Sequence, residues 1–363
     1  MIPFWLGHGS NHVARVFVAM TNVLQRSRAA RADCARQRFD IARDRYVIFS
    51  DTHRGARNPA DDFRQNERAY SAALAYYLRL GYVLVLLGDV EELWEERPQP
   101  VLSAYEYVVE LEAQFHRQGR YLRIWGNHDD EWRYPDQVER YLAPLYQGPP
   151  LHVYEGLLLD VVDGEETLGE IFLVHGHQGD AKSSRWSWIT RRLIRYLWRP
   201  FQRAFRVPVN TPATSWDLRH RLNRAMYTWA EQQPDLILVA AHTHSPVFKS
   251  LSHEAQLQQH LEDLEKRAGP SPSPAELEAQ ARLLARLEWL RGRAREMQRQ
   301  EHGSVAVKPC YFNVGCCCYD DGDITGIELA DEEIRLVRWP NRDREPLPEI
   351  LARDAIRDVY ASI

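Results

Sequence analysis

The sequence has no uninterrupted apolar run of the roughly 20 residues that a membrane-spanning helix needs. Its first twenty residues are interrupted by Gly7, His8, Asn11, His12 and Arg15 and lack the basic-then-apolar order of a secretory leader. It also lacks an excess of one charge. The 46 Lys+Arg and 51 Asp+Glu leave a net of −5, which supplies no general attraction to nucleic acid, and no specific nucleic-acid partner is expected. Cysteine is scarce and badly spaced for a disulfide framework: there are five, three of them adjacent at Cys316, Cys317 and Cys318. These absences point to a reducing compartment, and the expected location is the cytoplasm. The plainest reading of the cysteine triplet is small residues filling a tight strand. Disorder is excluded by what is plentiful, 11 Trp and 17 Tyr.

At 363 residues the chain is long enough for one elaborated domain or two. Its apolar runs are short and share one kind of ending. Tyr46–Phe49 leads into Asp51-Thr52-His53, and Tyr82–Leu87 leads into Gly88-Asp89. Tyr121–Trp125 leads into Gly126-Asn127-His128-Asp129, Ile171–Val174 into His175-Gly176-His177, and Leu236–Ala241 into His242-Thr243-His244. Continuous apolar runs with β-branched members read as buried strands. Helical patterns lie between the first three, near 63–80 and 102–117. The result is an α/β pattern with polar chemistry at the carboxyl ends of the strands. Gly164 between 157–162 and 171–174 reads as a hairpin, and 311–314, 324–329 and 334–339 read as closing strands. Residues 10–44 read as a basic helical extension, and a last helix is expected from about Pro348.

Gathered together, the strand-end residues are Asp51, His53, Asp89, Asn127, His175, His242 and His244. Two carboxylates, one amide and four imidazoles exceed what one divalent ion with an open position requires. They suit two ions sharing a carboxylate, for which Asp89 is the natural candidate. Two such ions could clamp a phosphoryl group and hold a hydroxide near neutral pH. The same donors accept Mn2+, the first choice here, or Fe, Zn or Mg. Singly, a strand-end Asp or His is most often a satisfied polar group; seven at five strand ends resist that explanation.

In order and spacing these blocks resemble the calcineurin-like metallophosphoesterase family, over about residues 45–250 and the closing strands. The resemblance implies a four-layer α/β/β/α sandwich of two mixed sheets flanked by helices. It implies one metal on Asp51, His53 and His244, a second on Asn127, His175 and His242, and Asp89 as bridge. His128 would sit beside the metals and serve the leaving oxygen, with Asp129 orienting it. Ala241 stands where the family has glycine and removes no ligand. Arg54, directly after the first block, is a candidate phosphate contact, against the plainer reading of a solvated loop arginine. The implied activity is hydrolysis of phosphomonoesters or phosphodiesters. A non-catalytic scaffold with this fold is the competing reading.

The family pattern leaves residues 1–44, a C-terminal 346–363 and two insertions within a 45–345 domain. The first insertion, 178–233, carries eight Lys/Arg and no acid between 181 and 206, interleaved with aromatic residues. It reads as a lid over a lipid-like substrate or a peripheral membrane contact, against a solvated hairpin packed on the core. Its placement is similar to the cap of UDP-2,3-diacylglucosamine pyrophosphohydrolases, which makes a lipidic nucleotide the alternative substrate. Those enzymes usually have arginine where this chain has His128. The second insertion, 251–303, reads as two charged helices with a leucine seam broken at 269–274, an arm for a homodimer through 253–302 or one closed on itself.

Overall fold

A computed structural model describes residues 6–59, 61–179, 216–252, 277, 280–281, 284, 308–342 and 346–363. Most of the two insertions, including 181–206 and nearly all of 253–302, lies outside the described residues. So do the lid, membrane-contact and dimer-arm expectations attached to them.

The strand endings come together because the chain builds two seven-stranded sheets. One holds β2 (Tyr46–Phe49), β3 (Val83–Leu87), β4 (Tyr121–Ile124) and β5 (Val153–Tyr154) in parallel. It is extended antiparallel by β12 (Ile324–Ala330), β13 (Glu333–Trp339) and β14 (Glu349–Ala355), in the order β14-β13-β12-β2-β3-β4-β5. The other contains β1 (Cys34–Asp40), β6 (Gly156–Asp163), β7 (Glu166–Val174), β8 (Leu236–Ala240), β9 (Val247–Phe248), β10 (Leu251–Ser252) and β11 (Tyr311–Asn313). Its order is β1-β6-β7-β8-β11-β9-β10. β6 and β7 form the expected hairpin, while β7, β8 and β11 run parallel.

Each strand has a period of two, so one strand serves two layers. Ile48, Val85, Leu87 and Ile124 pack against Leu157, Leu159, Leu173 and Val239 between the sheets. Val47, Phe49, Leu84 and Leu86 face the other way. They bury against α2 (Glu67–Arg79) and α4 (Glu106–Arg117), which follows the short α3 (Pro98–Ala104), through Tyr70, Leu74, Tyr77 and Phe115. On the far side, Leu158, Phe172 and Leu238 are covered by α1 (Leu6–Arg28) and α5 (Trp216–Ala230), through Met20, Val23, Met226 and Trp229. This is the expected helix–sheet–sheet–helix order. Among the described residues, no helix is long and apolar enough to cross a membrane.

Three expectations change. The N-terminal segment is helical only as far as Arg28: after α1, which docks on the core, the chain forms β1, which pairs in parallel with β6 over seven positions. The helical spacing of Val13, Phe17, Met20 and Leu24 extended the helical reading over this stretch, but that spacing ends at Leu24. On an edge strand charged residues are the rule, because they discourage further pairing, and Arg36 is held there by Asp160 at 2.9 Å. The C-terminal segment begins with β14, not a helix; its helix, α6, is only Ile356–Ala361. Its Leu, Ala and Arg favour a helix locally, but pairing with β13 overrides that preference. Finally, α5 closes the expected 178–233 insertion with a core helix, the crossover between parallel strands β7 and β8.

Candidate metal centre

All the strand-end blocks open at one edge of the sandwich, and their loops are tied to one another. The β2 loop continues the parallel ladder beyond its strand: Asp51 N donates to Gly88 O (3.1 Å), His53 N to Asp89 O (3.0 Å) and Arg54 N to Val90 O (3.0 Å). Leu93 N donates to His128 O (3.0 Å), and Ala241 N to His175 O (2.9 Å). The Ala241 methyl is buried among the inter-sheet residues and displaces no ligand.

The backbone there is strained. Asp51, His53, Asp89, His242 and His244 all have φ between 47 and 67°. For a residue with a Cβ this left-handed conformation costs roughly 1–2 kcal/mol, and such residues persist where the surroundings hold them for function. Two glycines permit the crowding. A Cβ on Gly126 would lie 2.2 Å from Asp89 Oδ1, and one on Gly88 (φ +90°) 2.6 Å from His175 Nδ1.

The side chains form two clusters that meet at Asp89. In the first, His244 Nε2 lies 3.1 Å from Asp51 Oδ1 and 3.2 Å from His53 Nε2. In the second, His175 Nε2 lies 3.1 Å from Asp89 Oδ2, and the His242 ring is 5.2 Å from that of His175. Asp89 Oδ2 is also 3.8 Å from His53 Nε2, so one carboxylate oxygen faces both clusters. The other, Oδ1, is occupied by the His128 backbone N–H at 2.7 Å. The donor sets Asp51/His53/His244 and Asp89/His175/His242 are each compact enough to hold a cation. Asn127 Oδ1 is buried, and no partner bonds it among the described residues. A buried carbonyl oxygen left without a donor is costly, and a divalent cation would satisfy it. The residues therefore fit the two ions that the sequence suggests.

Electrostatics agree with that fit. Burial opposes charge on His175, but Asp89 and Asp51 raise it to about 9; burial likewise opposes His244, and Asp51 leads the groups that raise it to about 9. Burial pushes Asp51 and Asp89 upward, yet His244 and His175 hold them well below the usual carboxylate range. The carboxylates that favour a proton on these imidazoles would equally favour a cation there. Imidazole binds metal only when neutral. Loading a divalent ion at pH 7 is therefore expected to release protons, and affinity to rise with pH until about 9. Calorimetry in two buffers of different ionisation enthalpy measures the release; uptake that is independent of buffer would contradict it.

The orienting groups differ from the sequence reading. Asp129 does not hold His128. Its Oδ1 accepts the N–H groups of Gly126 (2.6 Å) and Asp89 (3.2 Å), its Oδ2 that of Val90 (3.0 Å), and Arg123 lies 3.3 Å away. Asp129 thus pins the Asp89 loop to the Asn127 loop. The acceptor beside His128 is Glu92: its Oε2 is 2.7 Å from His128 Nδ1 and 3.1 Å from His53 Nδ1. A carboxylate there keeps both rings protonated on Nδ1. Trp94 stacks on His128 at 4.3 Å between centroids. His175 is set the same way, with Nδ1 donating to Leu87 O at 2.7 Å. His177 is buried beside Trp125 and next to the second cluster; burial and its imidazole neighbours keep it neutral. Glu92 hid in the acidic run Glu91-Glu92; its signal was a carboxylate three residues past Asp89. Glu92→Gln is expected to lower kcat about 10–100-fold, the scale for losing such an orienting bond, with little change in Tm. Unchanged kcat would show that these rings need no such support.

Arg54 is not a phosphate contact, nor is it solvated. It is fully buried, with Nη2 2.8 Å from Glu91 and Nη1 3.0 Å from Glu112. The cysteine triplet is not in a strand but in the loop after β11. Cys317 is buried with its N–H 3.1 Å from Ser50 O, and Cys318 Sγ lies 3.6 Å from His244 Nδ1.

The family model for calcineurin-like phosphoesterases matches residues 45–246. Among solved structures, the chain is similar to a conserved uncharacterized protein, a predicted phosphoesterase, from Streptococcus pneumoniae TIGR4. That similarity has 10% identity and a TM-score of 0.28, covering 85% of this chain and 97% of that one. No curated protein matches it.

Proposed function

The chain belongs to the calcineurin-like phosphoesterase family, and from that premise we propose that this phosphoesterase works through two divalent ions held at the strand-end cluster. Asp51, His53 and His244 would hold one, and Asn127, His175 and His242 the other, with Asp89 shared. The observation that carries this reading is Asp89 Oδ2, which faces His175 at 3.1 Å and His53 at 3.8 Å. When bound, such ions polarise a phosphoryl oxygen and lower the pKa of water. Mn2+ is the first candidate; the same donors accept Fe, Zn or Mg, and availability often decides between them.

The chain's own residues supply the rest. Asn127 offers a neutral oxygen, which limits negative charge where an anionic ester must approach. Glu92 keeps His128 protonated on Nδ1, so a second proton on Nε2 makes the ring an acid for the leaving oxygen. The stacked Trp94 restricts rotation of that ring. The buried loops exclude water from the carboxylates and so strengthen their hold on cations.

The substrate is a phosphate monoester or diester. A lipidic nucleotide pyrophosphate is the second reading, favoured by the eight Lys/Arg without an acid at 181–206. A panel of monoesters, diesters and nucleotide pyrophosphates, run with each metal in turn, tests both. Turnover of simple esters with Mn2+ supports the first reading. Preference for the lipidic pyrophosphate, impaired selectively by charge reversal at Arg192 and Arg195, supports the second. No metal-dependent turnover of any of them would overturn both.

A further inference from the structure

His244 has two faces. Its Nε2 looks toward Asp51, while its Nδ1 looks away from the cluster toward the loop after β11. There Cys318 Sγ lies 3.6 Å from Nδ1. Cys316, Cys318 and His244 each offer one donor atom, and all three lie within 4.8 Å of one another. The loop is built to present this pair. Cys317 is turned the other way: its thiol lies 3.7 Å from Thr325 O, and its N–H is 3.1 Å from Ser50 O. The bend at Cys317 leaves Cys316 and Cys318 on the His244 side. Cys316 is buried, whereas Cys318 and His244 are partly exposed, which leaves an entry path.

We propose that Cys316, Cys318 and His244 Nδ1 form a third cation site, selective for a thiophilic ion such as Zn2+ or Cd2+. Two sulfurs and an imidazole nitrogen are a soft donor set, unlike the carboxylate, amide and imidazole donors beside it, which suit Mn2+. A tetrahedral ion with Zn–S bonds of about 2.3 Å holds its sulfurs about 3.8 Å apart. The separation here allows that after a small closure of the loop. Three protein donors leave a fourth position for water.

The site would act on its neighbour. A neutral imidazole has one lone pair. An ion on Nδ1 leaves the proton on Nε2, the atom that faces Asp51. Occupancy would therefore withdraw His244 from the first cluster, and a thiophilic cation would inhibit. Binding at the thiols does not depend on the dinuclear reading; only this consequence rests on it.

The test is a Cd2+ titration of the full chain preloaded with Mn2+, read by the ultraviolet thiolate-to-cadmium charge-transfer band, which carboxylate and imidazole sites do not produce. The band is expected to saturate at one Cd2+ per chain, to persist in C34S/C310S and to vanish in C316S/C318S. Absence of the band in the unmodified chain, or its survival in C316S/C318S, would overturn the site. Should the double variant not fold, the partly exposed Cys318→Ser alone is expected to weaken Cd2+ binding at least tenfold, and unchanged affinity there overturns it equally. Phosphoesterase turnover, followed in the same titration, is expected to fall as the band grows. A band without inhibition supports the thiol site and counts against His244 as a ligand of the neighbouring centre.

Discussion

Asp89→Ala is expected to lower turnover by more than about 10³-fold on every phosphate ester tested, at or beyond the upper range for losing one electrostatic stabiliser. The size follows from position. Asp89 Oδ2 faces His175 and His53, and Oδ1 accepts the His128 N–H. Truncation removes the shared donor from both clusters and frees the loop that carries His128. It also leaves raised imidazoles without their carboxylate, so the proton on His175 becomes easier to lose. The fold should survive, because Asp129 still ties Gly126 to Val90. Steady-state kinetics with saturating Mn2+, alongside a thermal melt, checks this. A folded variant that keeps more than a tenth of its activity would remove Asp89 from the shared role.

Glu91→Ala is expected to destabilise the chain by about 3–5 kcal/mol, the scale for breaking one partner of a buried ion pair. Glu91 is fully buried and lies between two fully buried arginines. It accepts from Arg54 Nη2 and Trp132 Nε1, each at 2.8 Å, and pairs closely with Arg123. Without it, among the described residues, Arg123 keeps only Asp129 at 3.3 Å and Arg54 only Glu112 as acidic partners. Glu112 is itself bonded by Tyr146 (2.6 Å) and Tyr70 (3.2 Å), so the damage spreads through one network below the metal loops. Urea unfolding measures the loss. A change under about 1 kcal/mol would mean that water reaches the freed guanidinium groups. Arg54→Ala should behave in the same way, lowering stability without the selective rise in KM expected of a phosphate contact.

The clustering of the candidate ligands was legible because chemistry and strand ends coincide in the sequence. An apolar run that stops at Asp, Asn or His can be read one strand at a time. The four layers followed from the same runs, since β2, β3, β4, β8 and the last four residues of β7 are buried on both faces. What sequence could not reveal depended on distant partners. Arg54 looks like any loop arginine until Glu112, 58 residues away, is folded against it. Glu92 stands in the acidic run Glu91-Glu92, and nothing local marks which of the two faces His53 and His128. Asp129 is adjacent to His128 in the chain, and adjacency suggested a contact, but its carboxylate turns to backbone N–H groups instead. The edge strands β1 and β14 carry charged and helix-favouring residues, and only their neighbours β6 and β13 decide their conformation.

The most direct test of a shared two-ion centre is a metal titration of the chelator-stripped chain, with turnover of a chromogenic phosphate ester and bound metal counted together. With Mn2+, the stripped chain should be inactive, and turnover should rise mainly as the second equivalent binds, reaching its plateau at two ions per chain. Full turnover at one ion, or none with both sites filled, would contradict it.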